Sequence, residues 1–150
     1  MAKVRITKQF GFETAHALWN YDGKCRHIHG HSYKLFITLI GKPISDKDST
    51  KFGMVMDFGD LKKIINDEII EQFDHSLLLY KETAWIDDIL KQNLYDHVIA
   101  LDYQPTCENM VIDFSVRIAK HLPAGVDLFS VKLYETTTSF AEWCASDNES

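Results

Sequence analysis

Two stretches near the start of the chain alternate between apolar and polar residues. In residues 4–12, and again in residues 31–40, apolar side chains such as Leu35 and Ile37 recur at every second position. Because successive side chains of a strand point to opposite faces, this period of two predicts two strands with one apolar face each. Residues 41–43, Gly-Lys-Pro, form a turn signal that ends the second strand.

The period changes to that of an α-helix in two later stretches. In residues 57–73, apolar residues recur three or four positions apart with charged residues between them, which predicts an amphipathic helix. A second helix is predicted over residues 107–121, ending before Pro123. Two further strands are predicted near residues 126–135 and 139–144.

Residues 81–104 separate the two long helices and carry a weaker pattern. They suggest a short helix over residues 83–90 and a strand or extended connector over residues 98–101. The element order predicts an α+β fold, with an antiparallel sheet of two hairpins and two helices on one face. Because the sequence contains no repeat or linker, residues 1–150 are expected to form a single domain.

The second face of this sheet has no predicted helix to cover it. Tyr33, Phe36, Tyr134 and Phe140 lie in the predicted strands, so aromatic side chains are expected on that face. Large exposed apolar patches usually mark an interface. A partner subunit is therefore expected to cover this face.

Composition and charge exclude several classes of protein. The 150 residues carry a formal net charge of −6 and no basic cluster, which disfavours a nucleic-acid-binding surface. An anionic small molecule is still compatible with a pocket where a few basic groups converge. No apolar run approaches a membrane span, and the first ten residues lack a signal-peptide core, so a cytoplasmic protein outside the membrane is expected. The three cysteines form no CxxC pair and suggest no disulfide framework.

The segment of residues 25–31, Cys-Arg-His-Ile-His-Gly-His, is the most informative part of the sequence. Side chains two apart in a strand point the same way, so His29 and His31 can hold one ion between them. His16, at the end of the first strand, is the natural third ligand if the two strands form a hairpin. Three imidazoles suit zinc and leave a fourth coordination position for water or substrate.

Spacing alone leaves three alternatives for this segment. In the first, the histidines are ordinary surface residues of a strand. In the second, Cys25 is the fourth ligand of a closed structural site. In the third, His27 replaces His16 as the third metal ligand.

Four carboxylate and imidazole side chains are candidates for acid–base or binding roles. Asp74-His75 follows the first helix and can act as a proton relay, although a histidine also interacts well with the dipole at a helix C-terminus. Glu108 opens the second helix, where an acidic residue is favoured in any case. Glu135 shares the parity of the apolar residues of its strand, so its carboxylate needs a partner. That partner is either a ligand with adjacent N–H donors or an arginine of the protein.

Six short motifs, in order along nearly the whole chain, resemble those of the 6-pyruvoyltetrahydropterin synthase family. They are Phe12-Glu13-Thr14-Ala15-His16, His29-Gly30-His31, Gly53-Met54-Val55-Met56-Asp57-Phe58, Asp74-His75, Pro105-Thr106-Cys107-Glu108-Asn109 and Tyr134-Glu135-Thr136. The resemblance implies the tunnelling fold, or T-fold, in which two antiparallel hairpins and two helices trimerise into an oligomeric barrel. It also implies a homo-oligomer, either a trimer or a hexamer of stacked trimers, with active sites between subunits.

The same resemblance implies a pterin triphosphate substrate and the residues that bind it. The substrate is 7,8-dihydroneopterin triphosphate, whose pterin ring would be held by Glu108 and Glu135, with Thr106 beside them. Lys24 and Arg26 are candidate contacts of the triphosphate.

The resemblance further implies the catalytic groups. Zinc on the three histidines would act as a Lewis acid on hydroxyl groups of the substrate side chain. Cys25, as a thiolate, would exchange protons on that side chain. Asp74 and His75 would supply a second proton relay.

Within the family, the position of one cysteine separates two reactions. Three residues lie between Cys25 and His29, as in the bacterial 6-carboxytetrahydropterin synthases, whereas pyruvoyl-forming members typically place five there. The expected reaction therefore releases triphosphate and acetaldehyde and leaves 6-carboxy-5,6,7,8-tetrahydropterin, a precursor of queuosine. The alternatives are the pyruvoyl-forming reaction and a non-catalytic zinc- or pterin-binding protein. Residues 76–80 lack the Asn or Asp that the family usually places after the Asp-His pair, and the insertion of residues 81–104 follows.

Overall fold

The chain folds into a six-stranded sheet with helices packed on one face, in a computed structural model that describes residues 2–92 and 97–149. The strands are β1 (Val4–His16), β2 (His29–Gly41), β3 (Ser76–Tyr80), β4 (Val98–Leu101), β5 (Val126–Tyr134) and β6 (Phe140–Cys144), in the sheet order β4-β3-β1-β2-β5-β6. The helices are α1 (Phe58–Ile65), α2 (Glu71–Phe73), α3 (Ile86–Lys91) and α4 (Cys107–Ala119). This architecture is the predicted α+β fold.

Two antiparallel hairpins form the centre of the sheet, as the sequence predicts. β1 pairs with β2 without interruption, from Val4 opposite Gly41 to His16 opposite His29. β2 pairs in turn with β5, and β5 pairs with β6. The period of two arises because alternate residues of β1, β2 and β5, such as Leu35, are buried against the helices.

Two parallel strands extend the sheet beyond β1, and the sequence pattern does not predict the first of them, β3. Ser76 of β3 pairs with Thr14, whose hydroxyl donates a hydrogen bond to the Ser76 carbonyl at 2.8 Å. β3 shows no period of two because residues on both of its faces are buried. The short helix and strand expected within residues 81–104 are confirmed as α3 and β4, although residues 93–96 of that insertion lie outside the described residues.

The helix predicted over residues 57–73 is confirmed, with a wider turn in its middle. The Asp57 side chain accepts a hydrogen bond from the Gly59 amide at 2.6 Å and caps the start of α1. A π-helical turn, Asn66–Ile70, joins α1 to α2. The Thr106 hydroxyl caps α4, which packs on the same face of the sheet. None of the helices in the described ranges is long and apolar enough to cross a membrane.

The helix-covered face of the sheet holds the core, and the opposite face carries aromatic side chains. Phe36, Tyr134 and Phe140 form a cluster on that open face, with successive ring centroids 5.8 and 4.7 Å apart. Tyr33, which the sequence analysis groups with them, lies instead on the helix side. It is buried there because it shares the parity of Leu35 and not that of Phe36.

Candidate functional site

Three histidines meet at one end of the β1–β2 hairpin. His16 is the last residue of β1 and lies opposite His29, the first residue of β2. His31 lies two positions further along β2, so its side chain points to the same side as that of His29. One potential ligand atom from each histidine lies within 4.8 Å of the other two. The residues predicted as metal ligands are therefore brought together, and they could hold a metal ion.

Main-chain carbonyls orient two of these imidazole rings. His16 Nδ1 lies 2.7 Å from the Pro105 carbonyl oxygen, and His29 Nδ1 lies 2.7 Å from the His27 carbonyl oxygen. A carbonyl oxygen accepts and does not donate, so each Nδ1 carries the proton and each Nε2 presents a lone pair. Carbonyl partners of this kind are typical of histidines that bind metals.

The Nε2 atoms of the three histidines lack suitable hydrogen-bond partners within the described part of the chain. His16 Nε2 and His29 Nε2 face each other at 3.0 Å, although both are acceptors in these tautomers. The buried His31 Nε2 has no hydrogen-bond partner there. A metal ion would accept all three lone pairs, so this donor set fits a metal ion.

Burial and the nearby carboxylate of Glu135 have opposite effects on the pKa values of His16 and His31. Burial lowers the pKa of His16 and of His31, and a positive charge on the neighbouring His29 would lower both pKa values further. Glu135 acts in the opposite direction, because its Oε1 lies 3.6 Å from His16 Nε2 and 3.7 Å from His31 Nε2. The carboxylate therefore stabilises positive charge at this point, whether a proton or a metal ion carries it.

The start of α4 lies beside Glu135. The Cys107 thiol donates a hydrogen bond to a carbonyl of β5 at 3.0 Å, and burial raises the pKa of this thiol to about 11. The negative charge of Glu135 contributes to the same rise. Thr106 caps the helix, and Glu108 is exposed in its first turn. The residues predicted at the pterin ring are therefore found at the start of α4 and just beyond the end of β5.

Asp74 and His75 form a second polar group, the dyad. Asp74 Oδ1 accepts a hydrogen bond from the Glu13 amide at 2.8 Å, and His75 Nδ1 lies 3.0 Å from Asp74 Oδ2. The Glu13 amide, together with His75, holds the pKa of Asp74 below its usual range, so the carboxylate stays ionised. His75 has a φ of 57°, in the left-handed region, and its side chain is 78% exposed. Such strained residues are concentrated at functional sites.

An open cavity of about 410 Å³ lies beside His75 of the dyad and His31 of the three histidines. It is lined by Glu13, Thr14, Ala15, Gly30, His31, Ser32, His75 and Ser76.

Cys25 lies in the 3₁₀ turn Lys24–Arg26, just before β2. Its side chain is half-buried, and its carbonyl accepts a hydrogen bond from the Leu18 amide at 2.9 Å. Burial is the largest cause of the raised pKa of Tyr33, followed by the charges of Glu135 and Cys107. Cys25 is the next cause, so its thiol lies near the site. Cys25 does not belong to the group of potential metal ligands found among the described residues.

His27 and its basic neighbours stay on the surface. His27 Nε2 accepts a hydrogen bond from Arg26 Nε at 3.4 Å, and the ring lies outside the group of potential metal ligands in the described chain. The alternative in which His27 replaces His16 therefore does not fit this geometry. Lys24 and Arg26 are both exposed beside Cys25.

Some features of the site do not follow from the sequence analysis. The carbonyls of His27 and Pro105 orient the imidazole rings, and no side-chain pattern identifies a carbonyl. Glu135 lies beside the histidines themselves. Tyr33, which the sequence analysis assigns to the open face, lies on the same side of β2 as His31, and the period of two is the signal that identifies it.

Comparisons with known proteins connect this site with a family. Residues 5–145 match the family model described as 6-pyruvoyl tetrahydropterin synthase. A Haemophilus influenzae protein named 6-carboxy-5,6,7,8-tetrahydropterin synthase is 34% identical over 141 residues, which cover 93% of this chain and 97% of that protein. A Rickettsia bellii protein of the same name is 31% identical over 141 residues, which cover 93% of this chain and 99% of that protein.

Solved structures share the fold. An uncharacterized protein from Wolinella succinogenes has a TM-score of 0.77 at 21% identity, covering 97% of this chain and 99% of that chain. The Caenorhabditis elegans 6-pyruvoyl tetrahydropterin synthase has a TM-score of 0.67 at 24% identity, covering 97% of each chain. These structural likenesses show the predicted T-fold. The family match over residues 5–145, with named relatives above 30% identity, shows that this chain belongs to the 6-pyruvoyl tetrahydropterin synthase family.

Proposed function

We propose that this chain is a metal-dependent lyase that converts 7,8-dihydroneopterin triphosphate and water to 6-carboxy-5,6,7,8-tetrahydropterin, acetaldehyde and triphosphate. The names of the Haemophilus and Rickettsia relatives support this reaction. The observation that carries the proposal is the convergence of the three histidines on one potential metal site, with the carboxylate of Glu135 beside them. The histidines offer a site for a Lewis acid, and the dyad offers a proton relay.

Zinc is the metal that we propose for His16, His29 and His31. Three imidazole ligands with a fourth position open are typical of catalytic zinc sites. Bound zinc would supply Lewis acidity to the hydroxyl groups of the substrate side chain. The carbonyls of Pro105 and His27 hold two of the rings so that their Nε2 atoms converge.

The dyad is proposed to move a proton at His75 Nε2. Nδ1 of the same ring is engaged with the Asp74 carboxylate, so Nε2 is the nitrogen that can exchange a proton with the substrate. The ionised carboxylate stabilises the imidazolium that forms when His75 accepts a proton. The exposed ring of His75 borders the cavity, which gives a bound molecule access to it.

Cys25 is proposed as the second proton-transfer group. Its thiol is free and half-buried, and it lies in the 3₁₀ turn between the exposed side chains of Lys24 and Arg26. The combination of a free thiol with a proton relay supports an enzyme over a non-catalytic binding protein, because binding alone needs neither group.

Glu135 is proposed to hold the pterin ring. Its carboxylate can accept two parallel hydrogen bonds from the adjacent ring and amino N–H groups of a pterin. Among the described residues, its recorded ionic contacts are with His16 and His31, so the alternative of an arginine partner has no support. Thr106 and Glu108, at the start of α4, are proposed to lie beside the ring.

The product distinguishes the proposed reaction from its alternatives. With 7,8-dihydroneopterin triphosphate, we expect acetaldehyde to be released in step with triphosphate, because the short span between Cys25 and His29 sets which proton of the substrate side chain the thiolate reaches. Coupling to alcohol dehydrogenase reports acetaldehyde as loss of NADH, and mass spectrometry identifies the pterin product.

Release of triphosphate without acetaldehyde would assign the pyruvoyl-forming reaction instead. A protein that binds a pterin but consumes no substrate would support the non-catalytic alternative.

A homo-oligomer built on a trimer is also proposed. β3 pairs only with Thr14 to His16 of β1. Residues 4–13 of β1 therefore have no ladder partner in the described chain on the edge that faces away from β2. β6 forms a ladder with β5 alone among the described strands. A second copy that pairs β6 with the free edge of β1 would satisfy both edges and help to cover the cluster of Phe36, Tyr134 and Phe140.

Light scattering is expected to give about three or six times the chain mass of 17.3 kDa. A fully active monomer at micromolar concentration would contradict this proposal.

The compartment and the pathway are proposals as well. Cys25, Cys107 and Cys144 are all free, and free thiols are usual in the reducing cytoplasm. The cytoplasm is therefore the proposed location. The product would serve as a precursor of queuosine, as the family resemblance implies.

A further inference from the structure

A buried tyrosine lies beside Glu135 and the histidines and has no part in the mechanism above. Tyr33 follows His31 by two positions on β2 and is 1% exposed. Its ring stacks on Phe12, with ring centroids 5.2 Å apart, and lies 5.5 Å from the His31 ring at an interplanar angle of 82°. These packing contacts hold the hydroxyl group in one direction.

The Tyr33 hydroxyl is buried and has no hydrogen-bond partner among the residues that the structure describes. Buried hydroxyl groups are rarely left unpaired, because an unpaired group costs free energy. Tyr103 follows the usual rule, since its hydroxyl donates to Asp113 Oδ2 at 2.6 Å. Tyr33 therefore needs a partner that the described chain does not supply.

The surroundings of the Tyr33 hydroxyl indicate the chemistry of that partner. Lys34 pairs with Tyr134 in the β2–β5 ladder, so Tyr33 and Glu135 come next on the two strands and share one face. The Tyr33 hydroxyl carries one proton, which it can donate in a hydrogen bond. The site thus offers two acceptor oxygens and one donor hydroxyl on the same face of the sheet.

We propose that Tyr33 determines specificity by donating a hydrogen bond to the ring carbonyl of the bound pterin. In a 2-amino-4-oxopteridine, the amino group, the ring N–H and the carbonyl follow one another along one edge. Glu135 would accept hydrogen bonds from the two N–H groups, and Tyr33 would donate to the carbonyl next to them. A ring with an amino group in place of that carbonyl would be rejected, because it would leave two donors facing each other. This inference rests on the proposed function.

The test compares Tyr33→Phe with a matched control, Tyr103→Phe, in the metal-loaded protein. Neopterin, a fluorescent pterin, serves as the binding probe. For Tyr33→Phe we expect the Kd for neopterin to rise about tenfold or more, because the ring carbonyl loses its donor in a buried site. We also expect KM for 7,8-dihydroneopterin triphosphate to rise more than kcat falls. The metal content should be unchanged and the thermal midpoint equal or higher, because an unpaired hydroxyl is removed.

Tyr103→Phe should show the reverse, with a lower thermal midpoint and an unchanged Kd. Unchanged affinity of Tyr33→Phe for neopterin overturns the inference and leaves the proposed function intact. A lower metal content or thermal midpoint in Tyr33→Phe also overturns it, since Tyr33 would then act on the folded protein and not on the ligand. If the parent protein neither binds neopterin nor consumes the triphosphate substrate, the proposed function fails, and this inference fails with it.

Discussion

Replacing His29 with alanine is expected to lower the affinity for zinc by about 100-fold or more and to abolish turnover. Loss of a partner that only orients a metal ligand typically costs about 10- to 100-fold in affinity, and His29 is proposed as a ligand itself. Its side chain lies at the first position of β2 and is half-buried, so the variant should keep its fold. Elemental analysis of protein purified without chelators measures the effect, against an expected one zinc per chain in the parent.

Two further variants separate the possible ligand sets. His27→Ala should keep its metal, because His27 contributes its main-chain carbonyl to His29 Nδ1 and its ring is exposed. Glu135→Gln should also keep its metal but lose pterin binding, because a neutral amide is a poorer acceptor for paired N–H groups. Loss of zinc from His27→Ala would contradict the proposed ligand set. Loss of zinc from Glu135→Gln would make the carboxylate a metal ligand.

Replacing Cys25 with alanine is expected to reduce turnover by about 100-fold or more while leaving the zinc content unchanged. A general acid–base group contributes about 10²- to 10⁴-fold to a rate, and Cys25 is proposed to transfer protons without binding the metal. The half-buried position in a 3₁₀ turn makes a large effect on stability unexpected. Steady-state kinetics with 7,8-dihydroneopterin triphosphate and elemental analysis on the same preparation measure both quantities.

Cys144→Ala is the matched control for this experiment. Cys144 is also a free, half-buried cysteine, but it ends β6 and lies opposite Ser130 of β5. Its replacement should change neither turnover nor zinc content. Loss of zinc in Cys25→Ala would favour the closed site with a cysteine ligand, and unchanged turnover would remove Cys25 from the mechanism.

Much of the central sheet and of the metal-ligand group could be predicted from local patterns. The period of two in residues 4–12 and 31–40 identifies the two strands and puts the side chains of His29 and His31 on one side. Once those strands form a hairpin, His16 can only lie near the other two histidines. Each of these inferences depends on neighbours within one strand or on one short connection, which a sequence displays directly.

The insertion and β3 were less accessible to sequence analysis. The residues of β3, Ser-Leu-Leu-Leu-Tyr, form a short apolar run that fits a buried strand or a buried helical segment equally well. Its pairing with β1 depends on Ser76 meeting Thr14, 62 residues earlier in the chain. Two parallel strands are joined by a long crossover connection and not by a tight turn, so no local turn signal predicts their pairing.

The sequence was sufficient for the fold class, the two hairpins, the helices and the identity of the candidate ligands, because periodicity and motif order are local properties of the chain. The tertiary structure alone decided how those ligands are oriented. The Pro105 carbonyl that holds His16 lies 89 residues away along the chain, and a main-chain carbonyl has no side-chain signature. The contacts of Glu135 with His16 and His31 likewise form only after the strands have come together. The same holds for the Tyr33 hydroxyl, which has no partner within residues 2–92 and 97–149. A one-dimensional pattern does not contain the distances between strands on which these features depend.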